Sequence, residues 1–121
     1  VNVSFINQNI LDTEYLQQQL DITVSHPPYV RHLEKEEIKK NVLDNEPHLA
    51  LFVADNDALV FYKKIAELAQ KNLSENGQLY FEINQYLGKE TIDLLQKMNF
   101  ATTELRKDIY GNDRMTKASV K

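Results

Sequence analysis

The stretch Asp21-Ile22-Thr23-Val24-Ser25-His26-Pro27-Pro28-Tyr29 decides how the chain is read. Leu20 to Val24 is an apolar run rich in β-branched residues, and it reads as a buried parallel strand. Two successive prolines cannot donate to a ladder, so the strand must stop at this point. A strand that ends on a stiff, polar corner is a place where a sheet can present groups to a ligand.

Working outward, the elements alternate. Val3, Phe5 and Ile6 predict a short strand before it, and Asp12-Thr13 a cap for a short helix carrying Tyr15 and Leu16. Residues 30–56 read as charged and irregular, with a helical turn or two around Leu33 to Val42. Asp55-Asn56-Asp57 offers N-cap groups, and Leu59, Tyr62, Ile65, Ala66 and Ala69 follow at helical spacing as far as Leu73. Asn76-Gly77 reads as a turn, Gln78 to Ile83 as a strand, and Lys89 to Met98 as a second helix. Thr102 to Ile109 and Arg114 to Val120 are two strands around the hairpin chemistry of Tyr110-Gly111-Asn112-Asp113. This order predicts an α/β fold, a mostly parallel sheet ending in an antiparallel hairpin. Ligands then belong beyond the C-terminal strand ends, near Asn9, His26 to Tyr29, and Glu82 to Asn84.

The totals narrow the function classes. The 121 residues suffice for one domain with a modest core, and the 42% hydrophobic and 26% charged shares are ordinary for a globular chain. A formal charge of -4 disfavours nonspecific nucleic-acid binding. No cysteine is present, which excludes disulfides, thiolate catalysis and zinc-thiolate sites and fits a reducing, cytoplasmic setting. No apolar run approaches the roughly 20 residues of a membrane helix. His26, His32 and His48 lack metal-ligand spacing, so no metal is expected. A start on Val1 suggests a chain cut from something longer.

Five segments in one order carry a family resemblance. His26-Pro27-Pro28-Tyr29 resembles the Asn-Pro-Pro-Tyr motif that follows the fourth strand in amino methyltransferases. Glu46-Pro47-His48-Leu49-Ala50-Leu51-Phe52 and the Asp57 to Ile65 segment resemble the Glu-Pro…Ala-Leu…Asp-Gly-Leu…Tyr region of the HemK/PrmC branch. Tyr80-Phe81-Glu82-Ile83 is similar to its fifth strand, and Asp108 to Arg114 to its last hairpin. The resemblance implies a Rossmann-like class I fold dependent on S-adenosylmethionine. Only the C-terminal half would be present: residues 1–121 as one partial methyltransferase domain, from strand three to strand seven. It implies methylation of a glutamine side-chain amide in peptide chain release factors.

Such an amide nitrogen is a poor nucleophile, because its lone pair is delocalised. A site helps by accepting hydrogen bonds from the NH2 group and holding it in line with the sulfonium methyl, which is positioning catalysis. By resemblance the catalytic corner is His26, Pro27, Pro28 and Tyr29. Pro27 would supply a backbone acceptor of fixed direction and Tyr29 a platform for the planar amide. His26, Pro27 and Tyr29 would touch the substrate, with Glu46 either lining its mouth or sitting as a loop carboxylate in water. Asn9, Ile10 and His26 would face the cofactor.

Two departures from the pattern stand out. His26 replaces Asn, and an imidazole reaches differently and cannot accept once protonated, so weakened activity is expected, more so in acid. Gly77, Gly88 and Gly111 stand alone, so no G-x-G loop is present and the chain by itself should bind cofactor poorly. Glu82 faces the cleft or makes a structural hydrogen bond, and both readings stay open. Glu34, Glu36 and Glu37 with Lys35, Lys39 and Lys40 read as a solvated helix face. Asp113 and Arg114 are expected to pair or to fix the hairpin.

Two other function classes remain. One is methylation of adenine amino groups in nucleic acid, which poses the same chemical problem on a flipped base. The other is an inert fragment or interaction module. An exposed strand edge also predicts a homodimer, an exchanged strand or N-terminal disorder.

Overall fold

The structure, a computed structural model, describes residues 1–31, 33–34, 52–54 and 57–121. A 3-10 turn at Ile10–Asp12 precedes β1 (Leu20–Ser25) and the two-residue strands β2 (Val30–Arg31) and β3 (Phe52–Val53). Helix α1 (Val60–Asn72) runs straight into β4 (Leu73–Glu82). A second 3-10 turn (Gln85–Leu87) leads into α2 (Gly88–Lys97), and β5 (Thr102–Lys107) and β6 (Asp113–Ser119) close the chain.

The main sheet has the order β1-β4-β6-β5. Among the described residues only β1 and β4 are parallel within it; β6 lies between β4 and β5 and runs against both. The sheet is therefore mixed, which corrects the expectation of a mostly parallel one: the closing hairpin supplies two of its four strands. β2 and β3 form a separate parallel pair.

The core lies on one face of the sheet. Tyr62, Ile65, Ala66 and Ala69 recur at three- and four-residue steps, so α1 buries one stripe. That stripe meets Leu73, Leu79, Phe81 and Ile83 of the β4 strand and its exit. The Tyr62 and Phe81 rings meet edge to face with centroids 4.8 Å apart. Leu95 and Phe100 extend the cluster beneath α2. Helix α2 stops at Asn99, which takes the left-handed φ of 66° while the Phe100 amide returns to the Leu95 carbonyl at 3.2 Å.

Several expectations change. Val1, Val3, Phe5 and Ile6 form no strand and stand exposed, because no ladder partner reaches them among the described residues. Tyr15 and Leu16 form no helix; Asn72 grips the Leu16 amide and carbonyl at 3.1 and 2.7 Å and holds the segment non-helical. Among the described residues β1 is an edge strand rather than a buried one, with Ile22 and Val24 60% and 75% exposed. Asp57 does not cap α1: Leu59 holds that position and makes no side-chain cap. Asp55 and Asn56 lie outside the described residues.

Asn76-Gly77 does not end a strand. β1 advances two residues from Leu20 to Ile22 while β4 advances five from Leu73 to Gln78, so the surplus loops out as a bulge. Gly77 is needed there, since a Cβ would sit 2.8 Å from Leu73 Cβ.

The hairpin turns at Asp108–Asn112. The Asp108 carboxylate accepts from the Tyr110 and Asn112 amides at 2.9 and 3.0 Å, and Gly111 takes a φ of 82°. The Asn112 and Tyr110 amides, with Arg114, hold that carboxyl below its ordinary range. Asp113 and Arg114 do fix the hairpin but not by pairing with each other. Lys107 donates to Asp113 at 2.9 Å, and Arg114 Nε to Asp108 at 3.3 Å.

Candidate active site

β1 and β4 run in parallel, so their C-terminal tips lie side by side, with Ser25 opposite Phe81. Beyond Ser25, Pro27 and Pro28 carry no N–H and the ladder ends. The chain turns and places Tyr29 over the end of β4. Three side chains, Glu82, Arg114 and Asn84, then fix Tyr29. Its hydroxyl donates to Glu82 Oε1 at 3.1 Å and accepts from Arg114 Nη1 at 3.2 Å. Its backbone carbonyl accepts from Asn84 Nδ2 at 3.0 Å. The Tyr62 hydroxyl, from α1, donates to the Glu82 carbonyl at 2.7 Å and ties the strand tip to the core.

His26 Nε2 lies 3.3 Å from the same Glu82 Oε1, and the His26 and Tyr29 rings are 5.4 Å apart, tilted by 57°. The His26 side chain is 61% exposed and that of Glu82 is 38% exposed, so both are open to a substrate. Glu82 thus makes the structural bonds and also faces the open side; the two readings of it are compatible.

A second polar layer lies behind. Asn84 Nδ2 meets both Glu34 carboxylate oxygens, at 3.0 and 2.8 Å, and Arg31 Nε also pairs with Glu34. Glu34 is buried, which corrects its reading as part of a solvated helix face. Its charge is taken up by Arg31 and Asn84 rather than by water. Burial raises the Tyr29 hydroxyl above its ordinary pKa, and Glu82 raises it further. Burial likewise raises Tyr62. Both phenols are therefore donors across the neutral range.

On the other side of the prolines, Ile10, Thr23, Val24, Ser25, Pro27, Pro28, Phe61 and Ile65 line an apolar trough. The Thr23 hydroxyl finds no hydrogen-bond partner among the described residues. Ile10 therefore does come beside the proline corner. Asn9 does not present a free side chain: its Oδ1 caps the Leu11 amide at 3.0 Å and its Nδ2 donates to Asp12 at 3.1 Å. Glu46, His32 and His48 lie outside the described residues. No group of three His, Cys, Asp or Glu side chains forms a metal site among the described residues.

Asn84 was expected near the ligand edge, but its grip on Tyr29 and Glu34 was not read from sequence, nor were the parts of Glu34, Tyr62 and Arg114. The signal for Asn84 was its place just past a strand tip. Tyr62 was read as core, and its ring is; only its hydroxyl reaches the site.

A parallel strand pair whose tips carry a proline-closed, hydrogen-bonded corner fits an amino methyltransferase, and the relatives of this chain are methyltransferases. The chain is 70% identical to the release factor glutamine methyltransferase of Flavobacterium psychrophilum over 119 residues, 98% of the chain and 42% of that protein. It is 45% identical to the protein of the same name from Bacteroides thetaiotaomicron, over 97% of the chain and 42% of the relative. A bifunctional methyltransferase of Rickettsia bellii is 32% identical over 86% of the chain and 18% of its own length. No family model matches. Over nearly its whole length the chain is similar to part of the release factor glutamine methyltransferases. It spans about 42% of the length of the first of these curated relatives.

Proposed function

We propose that the protein to which this chain belongs methylates the side-chain amide nitrogen of a glutamine in a peptide chain release factor. One observation carries the reading: the His26-Pro27-Pro28-Tyr29 corner sits at the tips of two parallel strands, with its ring and carbonyl immobilised. Pro27 would offer its carbonyl as an acceptor to one amide N–H, in a direction set by two locked φ angles. The Tyr29 ring, held by Glu82 and Arg114, would lie against the planar amide. The gain is in orientation: a weak nucleophile is held where its lone pair can reach carbon.

S-adenosylmethionine, when bound, supplies a methyl carbon that forms a bond to the amide nitrogen while the carbon–sulfur pair goes to sulfur and one amide proton is given up. The residues present fit one side of that cofactor. The trough beside Ile10, Pro27, Pro28 and Phe61 is apolar and suits a flat heteroaromatic ring. Among the described residues no acidic side chain lines the trough. Among the described residues no helix is long and apolar enough to cross a membrane. A cytoplasmic place of action goes with this reading.

A chimera tests it: the unmatched remainder of the Flavobacterium psychrophilum relative joined to this chain, carrying H26N. Incubated with cofactor and a release-factor peptide, it should yield a glutamine heavier by one methyl group in mass spectrometry. An unmodified peptide, or methylated adenine in added DNA or RNA instead, counts against the proposal.

A further inference from the structure

We infer that Glu82 and His26 form a dyad in which Glu82 keeps the imidazole proton on Nε2. Nδ1 is left bare to accept an amide N–H of the substrate and then to take its proton. The inference rests on the proposed methyl transfer and assigns a residue pair to one step of it.

His26 Nε2 stands 3.3 Å from Glu82 Oε1. A bare nitrogen lone pair facing a carboxylate oxygen at that distance is repelled, whereas an N–H is attracted. The tautomer of a histidine is set by the partner of one nitrogen, and this partner selects Nε2–H. Nδ1 is then the only acceptor on the ring. The His26 side chain is 61% exposed, and it shares the corner with the Tyr29 ring 5.4 Å away.

The step balances as follows. As nitrogen bonds the methyl carbon, it carries an extra positive charge and its N–H bond weakens. The N–H pair stays on nitrogen and the proton moves to Nδ1. The resulting imidazolium faces the Glu82 carboxylate through Nε2, and solvent later takes the proton from Nδ1. An asparagine at this place could accept a hydrogen bond but could not take the proton. Glu82 is a positioning residue in this scheme and His26 a catalytic one.

The groups that bear on His26 are few among the described residues. Glu82 comes from β4 and Tyr29 from the turn. Arg114 of β6 acts through the Tyr29 hydroxyl, and Tyr62 of α1 through the Glu82 carbonyl.

The first measurement needs no turnover. In the 15N-labelled chain in alkaline buffer, ring nitrogen shifts report which nitrogen holds the proton, with H26N assigning the signals by their loss. His26 should show Nε2–H alone, and E82A should relax it to the tautomer mixture of free imidazole. A mixture in the unaltered chain, an Nδ1–H tautomer, or no response to E82A would overturn the dyad. Should E82A fail to fold, the unaltered spectrum still decides.

The second measurement uses the chimera without H26N. E82A should lower kcat about tenfold with little change in KM, and the loss should shrink to about threefold or less in the H26N background. Equal losses in both backgrounds would end the proton-transfer role. A chimera inert in every form would sink the methyl-transfer reading itself, while the tautomer result would stand or fall separately.

Discussion

The Tyr29 hydroxyl donates to Glu82 Oε1 at 3.1 Å, bridging the tips of β1 and β4. Arg114 Nη1 donates back to the same hydroxyl at 3.2 Å, so one oxygen joins three elements. The Y29F variant keeps the ring and removes that oxygen. It leaves the guanidinium and the carboxylate each short of a partner in a half-buried place. Stability should fall by about 1–2 kcal/mol, read as a lower urea midpoint with unchanged slope. An unchanged midpoint would mean that water replaces the hydroxyl at no cost.

Asn84 holds the second polar layer together. It donates to the Tyr29 carbonyl and to both oxygens of buried Glu34. N84A strips the buried carboxylate of a donor, and should cost about 2–3 kcal/mol. N84D has the same shape but sets a second carboxylate against Glu34. It should cost more than N84A at neutral pH and recover part of the loss in acid, where one of the two takes a proton. Urea unfolding at two pH values checks both. An N84D variant as stable as the parent at neutral pH would show that Glu34 is not the partner that matters.

Tyr29 and Tyr62 bind their protons more tightly in the folded chain than the ordinary phenol pKa of 10.0 allows, burial being the larger cause for each. The unfolded chain therefore loses these protons first as pH rises. Their contribution to stability is complete below about pH 10 and is lost as pH climbs from there through the folded-state values. The expected result is a urea midpoint that falls above pH 10, with phenolate absorbance from these two rings appearing together with unfolding. Y62F should flatten that fall. Two phenolates that appear before any loss of helical circular dichroism would contradict the burial assigned to them.

Much of this architecture was legible before any coordinates. β1 had to stop where two prolines removed its donors, and it does. The stripe of Tyr62, Ile65, Ala66 and Ala69 named the buried face of α1, and Gly111 with Asn112 marked the hairpin. What stayed hidden depends on distance along the chain. Glu34 meets Asn84 across 50 residues and Tyr29 meets Glu82 across 53, and no periodicity encodes such pairs. Local signals also misled where a tertiary contact decided the outcome. Asn76-Gly77 has turn chemistry, yet β4 passes through it as a bulge because β1 and β6 hold the strand on either side. Apolar alternation from Val3 to Ile6 needs a neighbouring strand to become a ladder, and none meets it among the described residues.

The outer edge of β1 has no strand partner among the described residues, and Ile22 and Val24 beside it are largely exposed. An unpaired strand with apolar side chains is a template for another chain. The 121-residue chain by itself should therefore self-associate, giving a concentration-dependent mass in sedimentation equilibrium. V24K should shift it toward monomer, because a charged side chain on an exposed strand penalises pairing. In the chimera the added sequence competes for the same edge, so the association should weaken there without any substitution. A sharp monomer for the chain alone, with Ile22 and Val24 intact, would mean that this edge is satisfied within the chain and that β1 is not the weak point of the sheet.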